Sequence, residues 1–451
     1  MLQELFADIQ LFTGSIDAQQ RKKIFQTADI IFSTPQCIAN DLEKNLYDLS
    51  TSSLLVIDEA HRCVKNYDYT KVVNFYKQQG INQLILGLTA SPGSDPDVVR
   101  QVCNNLAIEN LQARTRDSPD VSPYLQEREF QKVEVPFPKE FIEMKVLLQS
   151  IYNSKLNHLE KLNLTHGPTN KITLLKLQNR LGAQLSSNNF SAIVGISLCA
   201  QAIKISHAQE LLETQTLTGL RDYLQGLQKQ ADEKKSRGVQ TLVNMPQFKA
   251  TMISLNGLIE KKIEHPKISE IKTIVESEFK IKKDSKIIIF SQFRETAHTI
   301  VNNLNENPIV KAALFVGQAK KANTGLSQKE QKQIIEDFKE GKINVLCATS
   351  IGEEGLDIPE VNAVIFYEPI PSAVRKIQRA GRTARLSPGK LIILITKDTR
   401  DEINHYASSS RERKMYKIIE IIQKEINNKP KTLDYFKPKT SSPTTWTNKN
   451  N

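Results

Sequence analysis

The chain has 451 residues, of which 39% are hydrophobic and 25% charged, and its formal net charge is +11 at pH 7. This composition excludes a largely disordered chain, the length exceeds one compact core, and the five scattered cysteines exclude a disulfide framework. The positive charge favours a polyanionic partner, because clustered lysine and arginine release counterions from phosphates; a basic surface without a ligand is the alternative.

Residues 1–135 alternate short apolar runs with segments of helical character. The apolar runs are Asp29–Phe32, Leu54–Ile57 and Leu84–Leu88, and a polar or turn residue follows each of them. Continuous apolar runs are typical of strands that are buried on both faces of a parallel sheet. We therefore expect part of an α/β domain in this segment.

Residues 136–263 show a different sequence pattern. Apolar residues recur there at helical spacing over Met144–Asn163, Lys171–Gln184, Ile193–Tyr223 and Met252–Ile263. This pattern predicts an all-helical insertion.

Strand-like runs return in residues 264–405, which predicts a second α/β domain. Residues 406–451 read as a basic helix followed by a polar tail that we expect to be disordered. No signal peptide is recognisable and no apolar run approaches the roughly 20 residues that span a bilayer, so we expect a cytoplasmic protein. The runs of the second domain are Lys286–Phe290, Val345–Ala348, Ala363–Tyr367 and Leu391–Ile395.

The tetrad DEAH at residues 58–61 directly follows the second strand of the first domain. Ligands collect at the carboxyl ends of parallel strands, so Asp58 is placed to hold Mg²⁺ and Glu59 to orient or deprotonate an attacking water. A helix N-cap is the alternative for an isolated pair of carboxylates. The next strand ends in the small hydroxyl residues Thr89 and Ser91, which strengthens the nucleotide-site hypothesis.

The string QRAGRTAR at Gln378–Arg385 lies in the second domain. The planar, permanently charged forks of Arg382 and Arg385 suit a phosphate group and the charge that develops during phosphoryl transfer. A basic helix that faces solvent is the alternative.

Just upstream, the string ATSIGEEGLDIP leaves a strand at Ala348 and includes Thr349, Ser350, Gly355 and Asp357. Backbone amides and small hydroxyls at such a turn can bind phosphate without a steric clash.

Three shorter strings fit the same pattern. The pair Thr34 and Pro35 and the segment that contains Ser291 and Arg294 each follow a predicted strand, and the turn Thr13–Gly14 precedes the first of them. Each is only suggestive alone, because a Thr-Pro at a strand end is a turn in most proteins.

In this order the strings resemble motifs Ib, II, III, IV, V and VI of superfamily 2 helicases. Longer strings over residues 5–415 resemble the helicase half of the archaeal Hef proteins, relatives of the Fanconi anaemia group M helicase. These longer strings are Val56–Arg62, Gly87–Ser94, Ser118–Val121, His207–Gln215, Phe315–Ala319, Gly325–Gln331 and Phe366–Ala373.

This resemblance implies an α/β protein with two RecA-like parallel-sheet domains, the first incomplete, and a helical insertion similar to a thumb that grips branched DNA. It implies ATP and Mg²⁺ as cofactors, with Asp58 as the metal ligand. His61 and Gln378 would link the nucleotide to the cleft, and Arg382 and Arg385 would stabilise the transition state. By the same resemblance, the nucleotide contacts include Thr89, Ser91, Gly355 and Asp357, and the nucleic-acid contacts are Thr34, Pro35, Ser291, Arg294, Thr349 and Ser350.

The implied activity is that of an ATP-dependent helicase or translocase on forked or branched DNA during replication-fork repair. The sequence contains no G-x-x-x-x-G-K-[ST] string and opens where the family is already past its P-loop, so we do not expect this chain alone to hydrolyse ATP. A DNA-binding pseudo-helicase or gene fragment, and a helicase relative directed at double-stranded RNA, are the alternatives.

Two local features depart from the family pattern or lie beyond it. Ala384 stands where the family usually has glycine, which costs little in a helical conformation and more at positive φ. In the tail, Leu433, Tyr435 and Phe436 belong to a string similar to peptides that dock on the sliding clamp, and an amphiphilic scrap of tail is the alternative.

Overall fold

The structure is a computed structural model that describes residues 7–428 except 117, 166, 168, 185–189, 319–324, 353–357 and 385. It divides into two compact units. The first unit comprises Met1–Ser118 and Arg411–Asn451, and the second comprises Pro119–Ser410.

The first unit contains four short parallel strands and the helices that follow them. The strands pair two by two, β1 with β2 and β3 with β4. The strands are β1 Ile9–Phe12, β2 Ile30–Ser33, β3 Leu55–Ile57 and β4 Ile85–Gly87, and the helices are α1 Ala18–Phe25, α2 Pro35–Glu43, α3 Asp68–Gln79 and α4 Pro96–Asn105.

The β3–β4 sheet is covered on one face only by the part of the chain that the structure describes. On the covered face, Ile57 packs in a core with residues of α3 and α4. On the other face five apolar side chains are between 45% and 63% exposed: Leu54, Val56, Leu84, Leu86 and Leu88. The expectation of strands buried on both faces therefore does not hold for this sheet in the part of the chain that the structure describes.

The second unit contains a six-stranded, fully parallel sheet in the order β5-β10-β9-β6-β8-β7. Strands β6, β8 and β9 are buried along their whole length, and one hydrophobic cluster lies on each face of the sheet. This is the double-sided burial that continuous apolar runs indicate. The strands are β5 Arg128–Val135, β6 Ile287–Phe290, β7 Ala312–Phe315, β8 Val345–Ala348, β9 Ala363–Phe366 and β10 Gly389–Thr396.

The all-helical insertion is confirmed as a bundle within the second unit, and four further helices accompany the sheet. The helices of the bundle are α5 Ile142–Lys161, α6 Lys171–Gly182, α7 Phe190–Thr214, α8 Leu217–Asp232, α9 Arg237–Val243 and α10 Pro246–Glu260. The helices of the α/β part are α11 Lys267–Ile281, α12 Arg294–Leu304, α13 Gln328–Lys339 and α14 Ala373–Ala380.

One helix predicted from periodicity is two helices in the structure. The apolar pattern over Ile193–Tyr223 predicted a continuous helix, but the chain breaks between α7 and α8. Thr216 adopts an extended conformation there, and its hydroxyl accepts a hydrogen bond from the Gly219 N–H, which caps α8. The break brings polar residues of the bundle to the second sheet, where Gln215 contacts Glu368.

Two segments lie in a different unit from the domain to which the sequence pattern assigned them. Residues 128–135 were assigned to the first domain, but as β5 they pair along their full length with β10 of the second sheet. The last helix, α15 (Arg400–Asn427), contributes its residues from Arg411 onward to the first unit. There Ile418 and Ile422 pack on α4, and such long-range pairing leaves no local signal in the sequence.

Helix α7 corrects the expectation that no segment is long and apolar enough to cross a membrane. It has 25 residues and meets the length and composition criteria for such a helix. Its buried side chains, among them Leu198, Ala202 and Leu212, pack in the core of the bundle. The core helix of a soluble protein passes the same test.

Candidate nucleotide and nucleic-acid site

The first unit brings the DEAH tetrad and the TAS string together at the carboxyl ends of β3 and β4. The backbone amide of Ala60 donates to the Leu88 carbonyl at 2.8 Å, which extends the sheet past the strands. His61 Nδ1 lies 3.0 Å from the Thr89 hydroxyl and 3.2 Å from Glu59 Oε2. Motifs II and III are thus joined through an imidazole.

Hydrogen-bond directions assign the proton on this imidazole. The Thr89 hydroxyl donates to the Ser91 carbonyl at 3.2 Å, so it accepts from His61. His61 Nδ1 therefore carries a proton, and it can share that proton with the carboxylate of Glu59. Ser91 is buried, and its amide donates back to the Thr89 hydroxyl at 3.2 Å.

Asp58 and Glu59 differ in backbone and in exposure. Glu59 has φ of 51° in the left-handed region, which non-glycine residues enter only at a cost and often at functional sites. The turn leaves Asp58 exposed, with Oδ1 accepting the Glu59 amide at 2.9 Å.

An exposed carboxylate at this edge fits a Mg²⁺ ligand. No cluster of three metal-binding side chains exists among the described residues. Arg385, Gly355 and Asp357 lie outside the described residues.

Thr34 and Pro35 begin helix α2 at the end of β2. Thr34 is exposed, and its side chain makes no capping hydrogen bond. Its amide donates to the Phe12 carbonyl of β1 at 3.4 Å, so the loops after β1 and β2 leave the same edge of their sheet. The side chain of Thr34 is therefore presented at the surface.

Motifs IV and V lie at the carboxyl ends of neighbouring strands in the second unit. The Ser291 amide, after β6, donates to the Ala348 carbonyl at 3.0 Å, and the Thr349 amide, after β8, donates to Phe315 at 3.2 Å. Ser350 is exposed, whereas Ser291 and Thr349 are almost fully buried.

The side chains of Ser291 and Arg294 have partners within the protein. The hydroxyl of Ser291 bonds the backbone of Phe293, with both contacts at 3.4 Å. Arg294 Nη2 donates to the Gly317 carbonyl at 3.1 Å. Of the four nucleic-acid candidates in this unit, only Ser350 is an exposed side chain.

Motif VI occupies α14 and the turn after it. Gln378 and Arg382 are each less than 10% exposed. The turn is fixed to the loop before β9, where Thr383 donates its hydroxyl proton to the Val361 carbonyl at 2.6 Å. Ala384 has φ of 58°, a backbone conformation that favours glycine. An alanine in this conformation costs about 1–2 kcal/mol.

Sequence reasoning missed the buried arginine of the same string. Arg379 is fully buried, with its guanidinium carbon 4.8 Å from the ring centre of Phe290 and 6.0 Å from that of Phe366. Burial raises the pKa of the nearby Glu368 carboxyl, and the charges of Arg379 and Lys267 oppose that rise. Arg379 thus joins α14 to the ends of β6 and β9 through cation–π contacts.

Polar residues that sequence reasoning also missed connect the bundle to motif IV. Glu368 accepts the amide of Gln292 at 2.5 Å and the side-chain amide of Gln215 at 3.4 Å. Gln215 Oε1 in turn accepts from the hydroxyl of Thr296 on α12 at 2.9 Å. Glu368 follows an apolar strand just as the DEAH carboxylates do, which is the signal that could have identified it.

A second buried junction lies beside the first. Lys267 and Asp401 form an ion pair whose side chains are 0% and 1% exposed. Lys267 Nζ also donates to the Thr214 carbonyl of the bundle at 3.4 Å, and Asp401 accepts the amide of Thr396 at 3.0 Å. The end of α7 is therefore held by charge as well as by packing.

His265 makes this junction sensitive to pH. Its Nδ1 accepts the Lys267 amide and its Nε2 donates to the Glu213 carbonyl, both at 3.3 Å, so the ring is neutral. Burial, and then the charge of Lys267, lowers its pKa from 6.5 to about 3.

We expect acid to weaken the second unit through His265. In the unfolded chain His265 binds a proton below about pH 6.5, whereas in the folded chain it does so only below about pH 3. The free energy of unfolding therefore falls as the pH drops from 6.5 to 3. Between pH 7.5 and 5, the midpoint temperature of thermal unfolding should fall more for the wild type than for His265→Gln. The glutamine amide can still reach the Glu213 carbonyl. Parallel shifts in the two proteins would contradict this.

Family models match three consecutive parts of the chain. Residues 3–94 match the "Type III restriction enzyme, res subunit" model, residues 140–262 the "Putative ATP-dependent RNA helicase, helical bundle" model, and residues 266–387 the "Helicase conserved C-terminal domain" model. Together with the DEAH site and the parallel sheets, these matches define a superfamily 2 helicase.

Comparison with similar proteins identifies the family within superfamily 2. The crystal structure of the Pyrococcus furiosus Hef helicase domain is similar with a TM-score of 0.65 and 40% identity, over 88% of this chain and 82% of that one. The chain belongs to the Hef and Fanconi anaemia group M family of DNA helicases, so the fold expected from the sequence is confirmed.

The curated relatives are longer than this chain. A putative ATP-dependent RNA helicase of Methanocaldococcus jannaschii is 37% identical over 90% of this chain, which spans 51% of the relative. The Fanconi anemia group M protein homolog of Mus musculus is 32% identical over 90%, and the ATP-dependent DNA helicase mph1 of Neurospora crassa is 32% identical over 87%. The chain spans 22% and 35% of these two relatives.

Proposed function

We propose that this chain is the DNA-gripping part of an ATP-dependent translocase that acts in the cytoplasm on forked or branched DNA at stalled replication forks. The charge of the helical bundle carries this proposal. Residues 136–263 contain 16 lysines and arginines against 9 aspartates and glutamates, a net charge of +7 out of +11 for the whole chain. Such a concentration of positive charge on one subdomain suits a phosphate backbone.

We propose further that the DEAH site works with a P-loop that these 451 residues do not contain. The contact between His61 and Thr89 and the exposed Asp58 support a role in nucleotide hydrolysis. The exposed apolar face of β3–β4 supports a further segment that packs there, because parallel sheets are almost always covered on both faces.

Fluorescence anisotropy of labelled forked DNA tests the proposed function. With about four phosphate contacts, a fourfold rise in salt should lower the association constant by about 100-fold. Forked DNA should bind more tightly than plain duplex of equal length. A flat salt dependence would contradict a phosphate-binding bundle.

A matched pair of variants locates the binding face. Lys261→Gln with Lys262→Gln removes two exposed charges at the end of the bundle, and Lys282→Gln with Lys283→Gln removes two exposed charges from the α/β part. The bundle pair should weaken binding by about tenfold through two lost phosphate contacts, and the control pair by less than about twofold. Equal losses would contradict a binding role specific to the bundle.

Double-stranded RNA is the second candidate ligand. The printed descriptions of the Methanocaldococcus relative and of the helical-bundle family model both name an RNA helicase. The same titration with an RNA duplex decides between the two ligands. Tighter binding to RNA than to forked DNA would redirect the proposal to RNA.

A further inference from the structure

We infer that Arg21 is a positioning residue for nucleic-acid binding, which clasps the turn after β1 onto helix α2 and thereby fixes the spacing of two surface loops. The inference deepens the proposed function and depends on it, since the loops matter for binding only if the chain binds a nucleic-acid backbone. Arg21 itself is 7% exposed and does not face the ligand.

The two loops are neighbours because β1 and β2 are in register. Phe12, the last residue of β1, lies opposite Ser33, the last residue of β2. The turn Thr13–Ile16 and the start of α2 at Thr34 therefore leave the sheet side by side. Two adjacent loops that offer hydroxyls and amides can follow successive phosphates of one strand.

The turn after β1 is open at its tip. Gly14 and Ser15 are exposed, and a methyl group added at Gly14 would meet nothing within 4 Å. The hydroxyls of Thr13 and Ser15 bond each other at 2.6 Å, so they are already oriented as a pair. Such a turn has few contacts of its own, and its position depends on what holds its ends.

Arg21 holds the turn from below with one guanidinium. Its Nε and Nη2 donate to the two oxygens of Asp41 on α2 at 2.7 and 2.6 Å. Its Nη1 donates to the carbonyl of Ile16 and, at 3.5 Å, to that of Thr13. One side chain of α1 thus connects α2 with both ends of the turn.

The Asp41 carboxylate, which accepts the hydrogen bonds from Arg21, is also held in place. The side chain of Asp41 is 1% exposed, and its Oδ2 accepts a further hydrogen bond from the Tyr47 hydroxyl at 3.0 Å. Tyr47 stacks on Phe25 of α1 with ring centres 4.0 Å apart. Asp41 is buried and accepts three hydrogen bonds, so its carboxylate is held in one orientation. The position of the turn therefore depends on the position of α2.

Only arginine can make this set of contacts. Its planar fork offers five N–H donors in fixed directions, whereas the ammonium of lysine is a single point of charge. Arg21→Lys keeps the net charge, so a change in affinity could not be attributed to lost electrostatic attraction. Lysine would reach Asp41 but could not hold the carbonyls of Thr13 and Ile16 as well.

Forked-DNA anisotropy of the full chain tests the inference with a double-mutant cycle. Arg21→Lys should raise Kd by about tenfold, which corresponds to about 1.4 kcal/mol, and Thr13→Ala should do so by about fivefold. Because Arg21 acts through the turn, the double variant should bind no more than about twofold worse than Arg21→Lys alone. Lys22→Gln, an exposed neighbour on α1, is the control, and its effect should add to that of Thr13→Ala.

Hydrogen exchange of the DNA-free chain supplies a readout that does not depend on binding. The amides of Gly14, Ser15 and Ile16 should exchange about tenfold faster in Arg21→Lys, with no change in Lys22→Gln. If Arg21→Lys does not fold, Asp41→Asn takes its place, because it keeps the size and one acceptor oxygen of the side chain. An unchanged Kd and unchanged exchange would overturn the inference, as would full additivity with Thr13→Ala.

Binding measurements distinguish failure of the proposed function from failure of the role assigned to Arg21. If the wild-type chain binds no nucleic acid, the proposed function fails, and the role assigned to Arg21 fails with it. If wild-type binding responds to Thr34→Val and Thr13→Ala but not to Arg21→Lys, the proposed function stands and the positioning role is rejected.

Discussion

The chain of 451 residues should show no DNA-stimulated ATP hydrolysis, and a fusion that supplies a P-loop segment at its N-terminus should hydrolyse ATP. The reason is chemical: Asp58 can hold Mg²⁺ and Glu59 can activate water, but tight binding of the β and γ phosphates needs the amide cradle and the lysine of a P-loop. Release of inorganic phosphate, measured with and without forked DNA, reports the result.

Glu59→Gln in the hydrolysing fusion identifies the base. It should lower kcat by about 10²-fold or more, because the amide cannot accept a proton from the attacking water. Glu109→Gln, an exposed carboxylate of the same unit, is the matched control and should leave kcat unchanged. Robust ATP hydrolysis by the chain without a P-loop would reject this account of the nucleotide site.

Lys267→Met should be among the most destabilising single substitutions in the second unit. Removal of the ammonium leaves the Asp401 carboxylate buried without its counter-charge, which costs about 3–5 kcal/mol in comparable buried pairs. Hydrogen exchange of β10 and α11 amides measures the loss locally, since a chain with two compact units need not unfold in one step.

Two companion variants show that the effect comes from the buried charge. Asp401→Asn added to Lys267→Met should restore part of the stability, because the uncompensated charge is gone while an acceptor for the Thr396 amide remains. Lys272 lies on the same helix as Lys267 and forms a surface ion pair with Glu306. Lys272→Met breaks that pair and should lower the free energy of unfolding by less than about 1 kcal/mol. Equal losses from Lys267→Met and Lys272→Met would refute the prediction.

The fold class and the main elements were predictable because their signals are local. The apolar runs at Lys286–Phe290 and Ala363–Tyr367 became buried central strands, and helical spacing marked the bundle. The site strings were found for the same reason, since a DEAH tetrad after a strand is a local pattern. The contact of His61 with Thr89 was not predicted, but it agrees with the rule that carboxyl ends of parallel strands share one edge.

The elements that were missed depend on partners far away in sequence. Strand β5 reads as polar and exposed, and only its pairing with β10, more than 250 residues later, makes it part of the second sheet. Arg379 was not singled out from its string, yet it is fully buried and contacts the rings of Phe290 and Phe366. No spacing rule distinguishes a buried arginine from an exposed one.

The sequence by itself determined the family and the order of the motifs, because these depend on short strings whose chemistry the residue types fix. The tertiary structure alone decided which side chains can reach a ligand: Thr34 and Ser350 are exposed, whereas Ser291 and Thr349 are buried. It also decided which charges hold the molecule together, as Arg21 does with Asp41 and Lys267 with Asp401. Exposure and pairing arise from long-range packing, which the local pattern of a chain does not encode residue by residue.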